Sequence, residues 1–319
     1  MKLVTYESDK KLRVGVVEGD WVVDVETALD FVARPRGGDS KVNAAVRALR
    51  KTRETPRDLV DLLGRGPRYR DSLSLITQRL AKNRGSLKSP RGLFIPLKSA
   101  RLRAPIARPP KITCVGLNYA DHAREQGTDP PTSPIFFLKS GNTICGPGDL
   151  VRLPAGSVQV DYEAEFAVVI GKGGRNISEE KAYDHVAGYV ILNDISARDF
   201  QFADKQWFRG KSCDTFAPIG PWIVTADEVP DPHRLGISLT LNGQTMQDSN
   251  TSQLIFKVPF LISFLSRSLT WEVGDLISTG TPPGVGVFRK PPVFLKPGDT
   301  MAVSVEKLGT LINRVTGPE

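Results

Sequence analysis

Three carboxylates at alternate positions open the stretch DYEAEFAVVIGKGG, residues 161–174. Successive side chains of a β-strand face opposite ways, so Asp161, Glu163 and Glu165 would share one face and Tyr162, Ala164 and Phe166 the other. Like charges about 7 Å apart on one face repel unless something positive lies between them. Two such glutamates can share a hard divalent cation, whose oxygen ligands sit roughly 2.0–2.6 Å away. A further oxygen is needed, and Asp194 is the best candidate, just past the apolar run at 189–192. Ser196 and Asp199 then fit a capping box. A helix starting there sets Arg198 and Gln201 on one face, a cation and an amide suited to a substrate carboxylate. The same pattern also fits a strand with a polar outer face beside a solvated helix start.

A second group lies in GLNYADHAREQG, residues 116–127. Asn118 could cap a short helix ended by Gly127, with His122 and Glu125 one turn apart. A glutamate on one imidazole nitrogen fixes the tautomer and makes the other nitrogen a better base. An exposed helix carrying a charge pair would read the same way. His185 and His233 lack such company and read as structural or solvated. Three histidines and no cysteine pair argue against a soft zinc site, so a metal here is a hard one held by oxygens.

Two more segments could close such a site. RGKSCDTFAPIGP places Lys211 in a loop before a strand, where it could balance charge on an enolate or simply face solvent. STGTPPGVGVF, residues 278–288, could offer backbone N–H groups and the Thr281 hydroxyl to an anion. It lacks the lysine of a P-loop, and no G-x-G-x-x-G follows a strand, so no nucleotide cofactor is expected. Cys114, Cys145 and Cys213 have no histidine near them in sequence and read as buried small residues.

Positioning these groups requires many short elements, and 24 Pro with 29 Gly suit that. Gly and Pro punctuate strands expected at 112–117, 135–138, 163–170, 186–192, 219–224, 236–241, 275–279 and 301–305. LNGQ at 241–244 reads as a hairpin turn, and residues 252–266 as a helix. The start alternates like a strand pair turning at EGD, unlike a signal peptide or presequence, and residues 41–82 read as helical. The fold class is therefore β-rich α+β rather than a doubly wound sheet. A Pro-rich linker, ARLRAPIARPPKI, divides a variable N-terminal domain (1–105) from a larger domain (106–319).

The net charge of +8 is concentrated in the first third: residues 1–110 hold 24 Lys and Arg against 12 Asp and Glu. With hardly any aromatic residues among those arginines, a basic solvated face is the main reading and phosphate binding the lesser one. No nucleic-acid partner is expected. No apolar run approaches the roughly 20 residues that span a bilayer, so no membrane association is expected either. Three cysteines suggest a reducing compartment, and a cytoplasmic protein is the expectation.

Together the blocks resemble the fumarylacetoacetate hydrolase family. The matching residues are NYADHARE at 118–125, DYEAE with VVIGK from 161, ND with SARDFQ from 193, GKS with DTF from 210, and TGTPPGVG from 279. They cover roughly residues 106–316, and TGTPPGVGVFRKPPVFLKPGD is especially similar to the branch of fumarylacetoacetate hydrolase domain-containing protein 2. The resemblance implies a mixed β-roll or sandwich core with a smaller N-terminal domain, and a homodimer. It implies Mg²⁺ or Mn²⁺, with Ca²⁺ as a further option, on Glu163, Glu165 and Asp194. Asp161 becomes a structural acid. His122 and Glu125 would be the water-activating dyad on a lid, Lys211 a catalytic cation, and Arg198, Gln201 and Thr281 the substrate-binding residues. Val115 stands where fumarylacetoacetases proper carry a further metal-binding Asp, which points to a smaller 2-oxo acid. The implied activity is metal-dependent hydrolysis of the C–C bond of an acylpyruvate-like acid, through activated water and a stabilised enolate. The alternative is keto–enol tautomerisation, or decarboxylation, of oxaloacetate at the same site.

Overall fold

The computed structural model describes residues 1–33, 44–46, 49 and 55–318. Its frame is a mixed twelve-stranded sheet, ten strands of which run in the order Phe94–Pro96, Trp21–Asp24, Lys11–Glu18, Lys2–Ser8, Ala217–Thr225, Val186–Asn193, Ala164–Ile170, Leu276–Ser278, Ile112–Gly116 and Ile135–Lys139. A five-stranded sheet holds Gln244–Asn250, Gly236–Leu241, Thr300–Val305, Gly309–Thr316 and Leu150–Arg152 in that order. Val160–Asp161 and Ser196–Ala197 form a separate two-stranded ladder.

The apolar run at 166–170 is buried on both faces, as a central strand between two layers must be. Phe166, Val168 and Ile170 pack with Ile237, Leu239, Val303 and Val305 of the five-stranded sheet. Ala167 and Val169, on the other face, share a core with Leu59, Leu62, Leu73 and Ile76 of the helices Leu59–Gly64 and Pro67–Lys82. Sheet on one side and helices on the other make a strand-rich α+β fold of several sheets. Every strand expected from the sequence is present within two residues of its expected bounds. LNGQ turns as expected, with Asn242 and Gly243 both at positive φ (52° and 81°) and Leu241 paired to Gln244.

Three local expectations need correction. The helix placed at 252–266 begins only at Val258, because Ile255 and Phe256 are drawn off into hydrogen bonds with Asn118. Pro259 then sits in the first turn, where a missing N–H costs nothing. The N-terminal strand pair is a three-stranded meander, its first turn made by Asp9 and Lys10 at φ 49° and 61°. Within the helical reading of 41–82, residues 44–46 and 49 are helical and the two helices just named follow, separated at Arg65 and Gly66, while residues 41–43, 47–48 and 50–54 lie outside the described residues.

Among the described residues of the basic first third, several arginines are paired with carboxylates. Arg13 bonds Asp24 and Glu26, Arg57 and Arg65 reach Asp61, and Arg101 and Arg103 reach Glu7. Among the described residues no helix is long and apolar enough to cross a membrane.

Candidate active site

Glu165 lies on the strand Ala164–Ile170 and Glu163 just before it, and both point toward the side taken further along by Ala167 and Val169. Asp194 follows the neighbouring strand Val186–Asn193 and is tied across by its N–H to Glu163 O at 2.9 Å. Register does the rest, since Ala164 pairs with Asn193. One carboxylate oxygen from each of Glu163, Glu165 and Asp194 lies within 4.8 Å of the others, and all three residues are buried.

Asp161 does not join them. The extended chain breaks at 162–163, and Asp161 pairs with Ser196 in the two-stranded ladder. Its carboxylate accepts from Gly286 N at 2.7 Å, Val287 N at 3.0 Å and Arg198 Nε at 2.9 Å. The same ladder removes the expected capping box. Ser196 is extended and donates to Asp194 O, while Asp199 accepts from Ser157 and Val158 instead.

Around the triad stand three buried cations. Lys211 Nζ lies 2.7 Å from both Glu163 Oε2 and Asp194 Oδ2, Lys139 Nζ 2.6 Å from Asp194 Oδ1, and Arg198 2.6 Å from Glu163 Oε1. Burial opposes the charge of Glu163, but Lys211 and Arg198 prevail and hold its carboxyl well below the usual range. Burial likewise works against the Lys211 ammonium, and Asp194 and Glu163 outweigh it, so its pKa is raised.

Glu165 is different. Burial, reinforced by the charges of Asp194 and Glu163, pushes its carboxyl well above the ordinary range. Its Oε2 accepts from Ser278 Oγ and from Gly280 N, and among the described residues Oε1 has no partner. Gly280, at φ 101°, presents that N–H in a conformation an L side chain rarely adopts. With all four buried carboxyls ionised, three cations would leave one negative charge uncompensated on the oxygen cluster, which is the cost that raises Glu165. A divalent cation fits this all-oxygen donor set.

His122 faces the cluster across a cavity of about 210 Å³ lined by Glu163, Glu165, Arg198, Gln201, Lys211 and Thr281 among others. It sits on the short helix Ala120–Glu125, in the connection that follows the strand Ile112–Gly116. Asn118 anchors that connection, but not as the expected cap. It donates to Thr279 O and Phe256 O and accepts from Phe256 N. His122 Nδ1 lies 2.9 Å from Glu125 Oε2, and Glu125 Oε1 accepts from Gly284 N at 2.9 Å. Gly116 leaves room for Trp207 in the wall, because a Cβ there would meet its ring at 2.7 Å.

The structure therefore brings His122, Glu125, Lys211, Glu163, Glu165, Asp194, Arg198, Gln201 and Thr281 to one place. Two of them are differently engaged than the sequence suggested. Arg198 is committed to Asp161, Glu163 and Gln201 Oε1, its Nη2 ion-paired to both carboxylates but making no hydrogen bond among the described residues, and the Thr281 hydroxyl donates to Ala164 O while accepting from Gln247. Lys139 and Gln126 were missed. Nothing marks a lysine at the end of a strand, but Gln126, four residues after His122 on one helix, was open to a spacing argument. His185 bonds Lys172 O and His233 accepts from Val258 N, both away from the cavity. Cys114 and Cys145 are buried, whereas Cys213 is partly exposed.

Comparison with known proteins agrees with this geometry. Residues 111–316 match the family model described as fumarylacetoacetate (FAA) hydrolase, C-terminal. The chain is 52% identical over 216 residues to the mitochondrial oxaloacetate tautomerase fahd2 of Xenopus laevis, covering 67% of this chain and 68% of that one. It is 47% identical over 262 residues to the mitochondrial oxaloacetate tautomerase FAHD2A of Bos taurus, covering 82% and 80%. Among solved structures, maleylpyruvate hydrolase from Sphingobium sp. SYK-6, in complex with manganese(II) and pyruvate, superposes with a TM-score of 0.70 at 30% identity over the full length of both chains. Fumarylacetoacetate hydrolase from Exiguobacterium antarcticum gives 0.75 at 36% identity over 99% of each. These relatives overturn the expectation of a cytoplasmic protein, since the curated ones are mitochondrial by name. Unpaired cysteines report a reducing milieu, not which compartment supplies it. On the family match, the shared fold and these identities, the chain belongs to the fumarylacetoacetate hydrolase family, in the branch of fumarylacetoacetate hydrolase domain-containing protein 2.

Proposed function

We propose that this protein is a divalent-metal-dependent oxaloacetate keto–enol tautomerase. One observation carries the reading: His122, held by Glu125, faces the Glu163–Glu165–Asp194 cluster across a single small cavity. The named relatives at 47–52% identity support this activity over the hydrolysis that the family name suggests. A cation on the three carboxylates, Mg²⁺ or Mn²⁺, would polarise the 2-oxo oxygen and offset enolate charge.

The chain's own residues then divide the work. His122 carries its hydrogen on Nδ1, toward Glu125, and uses Nε2 to take a proton from C3 of the keto acid and deliver it to the C2 oxygen, giving the enol, and to carry it back from that oxygen to C3 in the reverse direction. Lys211, kept charged by Asp194 and Glu163, balances the charge that develops on the C2 oxygen. Arg198 and Gln201 bound the substrate's side of the cavity, and Val115 in its wall leaves the donor set at three carboxylates.

Hydrolysis of a small acylpyruvate is the second reading, favoured by the likeness to a maleylpyruvate hydrolase holding manganese(II) and pyruvate. Loss of enol-oxaloacetate absorbance tests the proposal. His122→Ala should slow it by roughly 10²–10⁴ while the protein stays folded. An unchanged rate would remove His122 from the reaction.

A further inference from the structure

The helix that carries His122 ends on Gln126, whose backbone N–H closes onto His122 O at 3.2 Å. Its side-chain Nε2 lies 2.8 Å from His122 Nε2, on the opposite edge of the ring from Glu125. The two contacts together define the ring's chemistry. A carboxylate only accepts, so Nδ1 carries the hydrogen. Nε2 is then a lone pair, and the Gln126 amide donates to it.

The arrangement covers the base. A reacting carbon needs to come within about 3–3.5 Å of Nε2, which the amide occupies. The amide has to leave as substrate arrives, and a donor taken off one acceptor needs another. The cavity wall suggests which. Its cations, Arg198 and Lys211, are already ion-paired to buried carboxylates, and the one Arg198 nitrogen without a hydrogen bond, Nη2, lies against two of them, so a second carboxylate on the substrate meets no cation free of a charge partner among the described lining residues. Gln126 lines the same cavity and can offer two N–H groups.

We propose that Gln126 is a positioning residue that holds His122 as the Nδ1–H tautomer in the resting enzyme and transfers its amide N–H to the far carboxylate of a dicarboxylic 2-oxo acid on binding. The first half concerns the resting ring alone; the second rests on the tautomerase reading. A gate of this kind exposes the base only when a substrate with the right far end is present.

The test is ¹⁵N NMR of imidazole-labelled full-length protein loaded with Mg²⁺, alongside kinetics. In the wild type the unprotonated Nε2 resonance should sit upfield of a free lone pair. Gln126→Met should move it downfield. Gln126→Glu, an acceptor only, should protonate Nε2 and give an imidazolium spectrum. Gln126→Met should also raise KM for oxaloacetate about tenfold or more. For 2-oxobutanoate, which has no far carboxylate to draw the amide off Nε2, the same variant should lower KM, followed by deuterium exchange at C3. Identical wild-type and Gln126→Met spectra would overturn the tautomer role, and an equal KM rise for both substrates would overturn the carboxylate role. Activity that survives His122→Ala would count against the tautomerase mechanism while leaving the resting-ring result standing.

Discussion

Lys139 Nζ lies 2.6 Å from Asp194 Oδ1, and both side chains are wholly buried. Lys211 holds the other oxygen, Oδ2, at 2.7 Å. Asp194 is thus clamped between two ammonium groups, its carboxylate plane fixed before any ligand arrives. Removing one partner of a buried pair costs about 3–5 kcal/mol, because the remaining charge is left uncompensated. Lys139→Met should sit near the lower end, about 3 kcal/mol by urea unfolding, since Lys211 still serves Asp194. A change within about 0.5 kcal/mol would mean that the clamp contributes nothing to the fold.

Glu165 is the proposed metal ligand that folding should not need. Its charge has no cationic partner, and burial opposes it. Glu165→Gln keeps the shape and removes the charge. Without metal the variant should therefore melt no lower than the wild type. The rise in melting temperature that excess Mg²⁺ or Mn²⁺ gives the wild type should disappear. A variant that keeps the metal-dependent shift would place the cation elsewhere.

Lys211→Ala should reduce kcat by roughly 10²–10³, the range for loss of one preorganised donor to a developing oxyanion. The fold should survive, because Arg198 still pairs with Glu163 and Lys139 with Asp194. Undiminished kcat in a folded, metal-loaded variant would take Lys211 out of the reaction.

Far from the site, buried Asp24 accepts from Tyr6 Oη, from Arg13 and from Thr27 N. Burial opposes its charge, but these contacts win and its pKa is lowered. A lowered folded pKa means that its contribution is present above the unfolded value of about 3.9 and is lost as pH falls through the folded value. Asp24→Asn should therefore be less stable than the wild type by about 2 kcal/mol near pH 7. The gap should close below pH about 4, as read from urea midpoints across pH. A gap independent of pH would contradict the assignment.

The clustering of Glu163, Glu165 and Asp194 was legible in the sequence because it obeys short-range geometry: two glutamates two residues apart at a strand start, and an aspartate just beyond a second apolar strand. His122 and Glu125 were legible for the same reason, as one helical turn. Long-range pairing was not. Alternation alone put Asp161 in one row with Glu163 and Glu165, and only the family resemblance set it apart as a structural acid; the ladder with Ser196 that turns it toward Gly286 and Arg198 is a long-range feature. That ladder also cancelled a capping box that local propensity favoured. Lys139 pairs with a residue 55 positions away, a contact no spacing rule reaches. The N-terminal strands read correctly as strands, but the edge they would join, Ala217–Thr225 through Lys2 and Leu3, is set by tertiary packing alone.

The most direct test of the account compares enol-oxaloacetate with acetylpyruvate, using protein stripped by chelation and then supplied with Mg²⁺ or Mn²⁺. Stripped protein should be inactive, metal should restore rapid enol decay, and acetylpyruvate should yield no pyruvate on the same time scale. Glu165→Gln in the same assay sets the background of the free metal. Metal-dependent pyruvate release from acetylpyruvate, at rates matching or exceeding enol decay, would contradict the tautomerase assignment and make the His122–Glu125 pair a water-activating dyad.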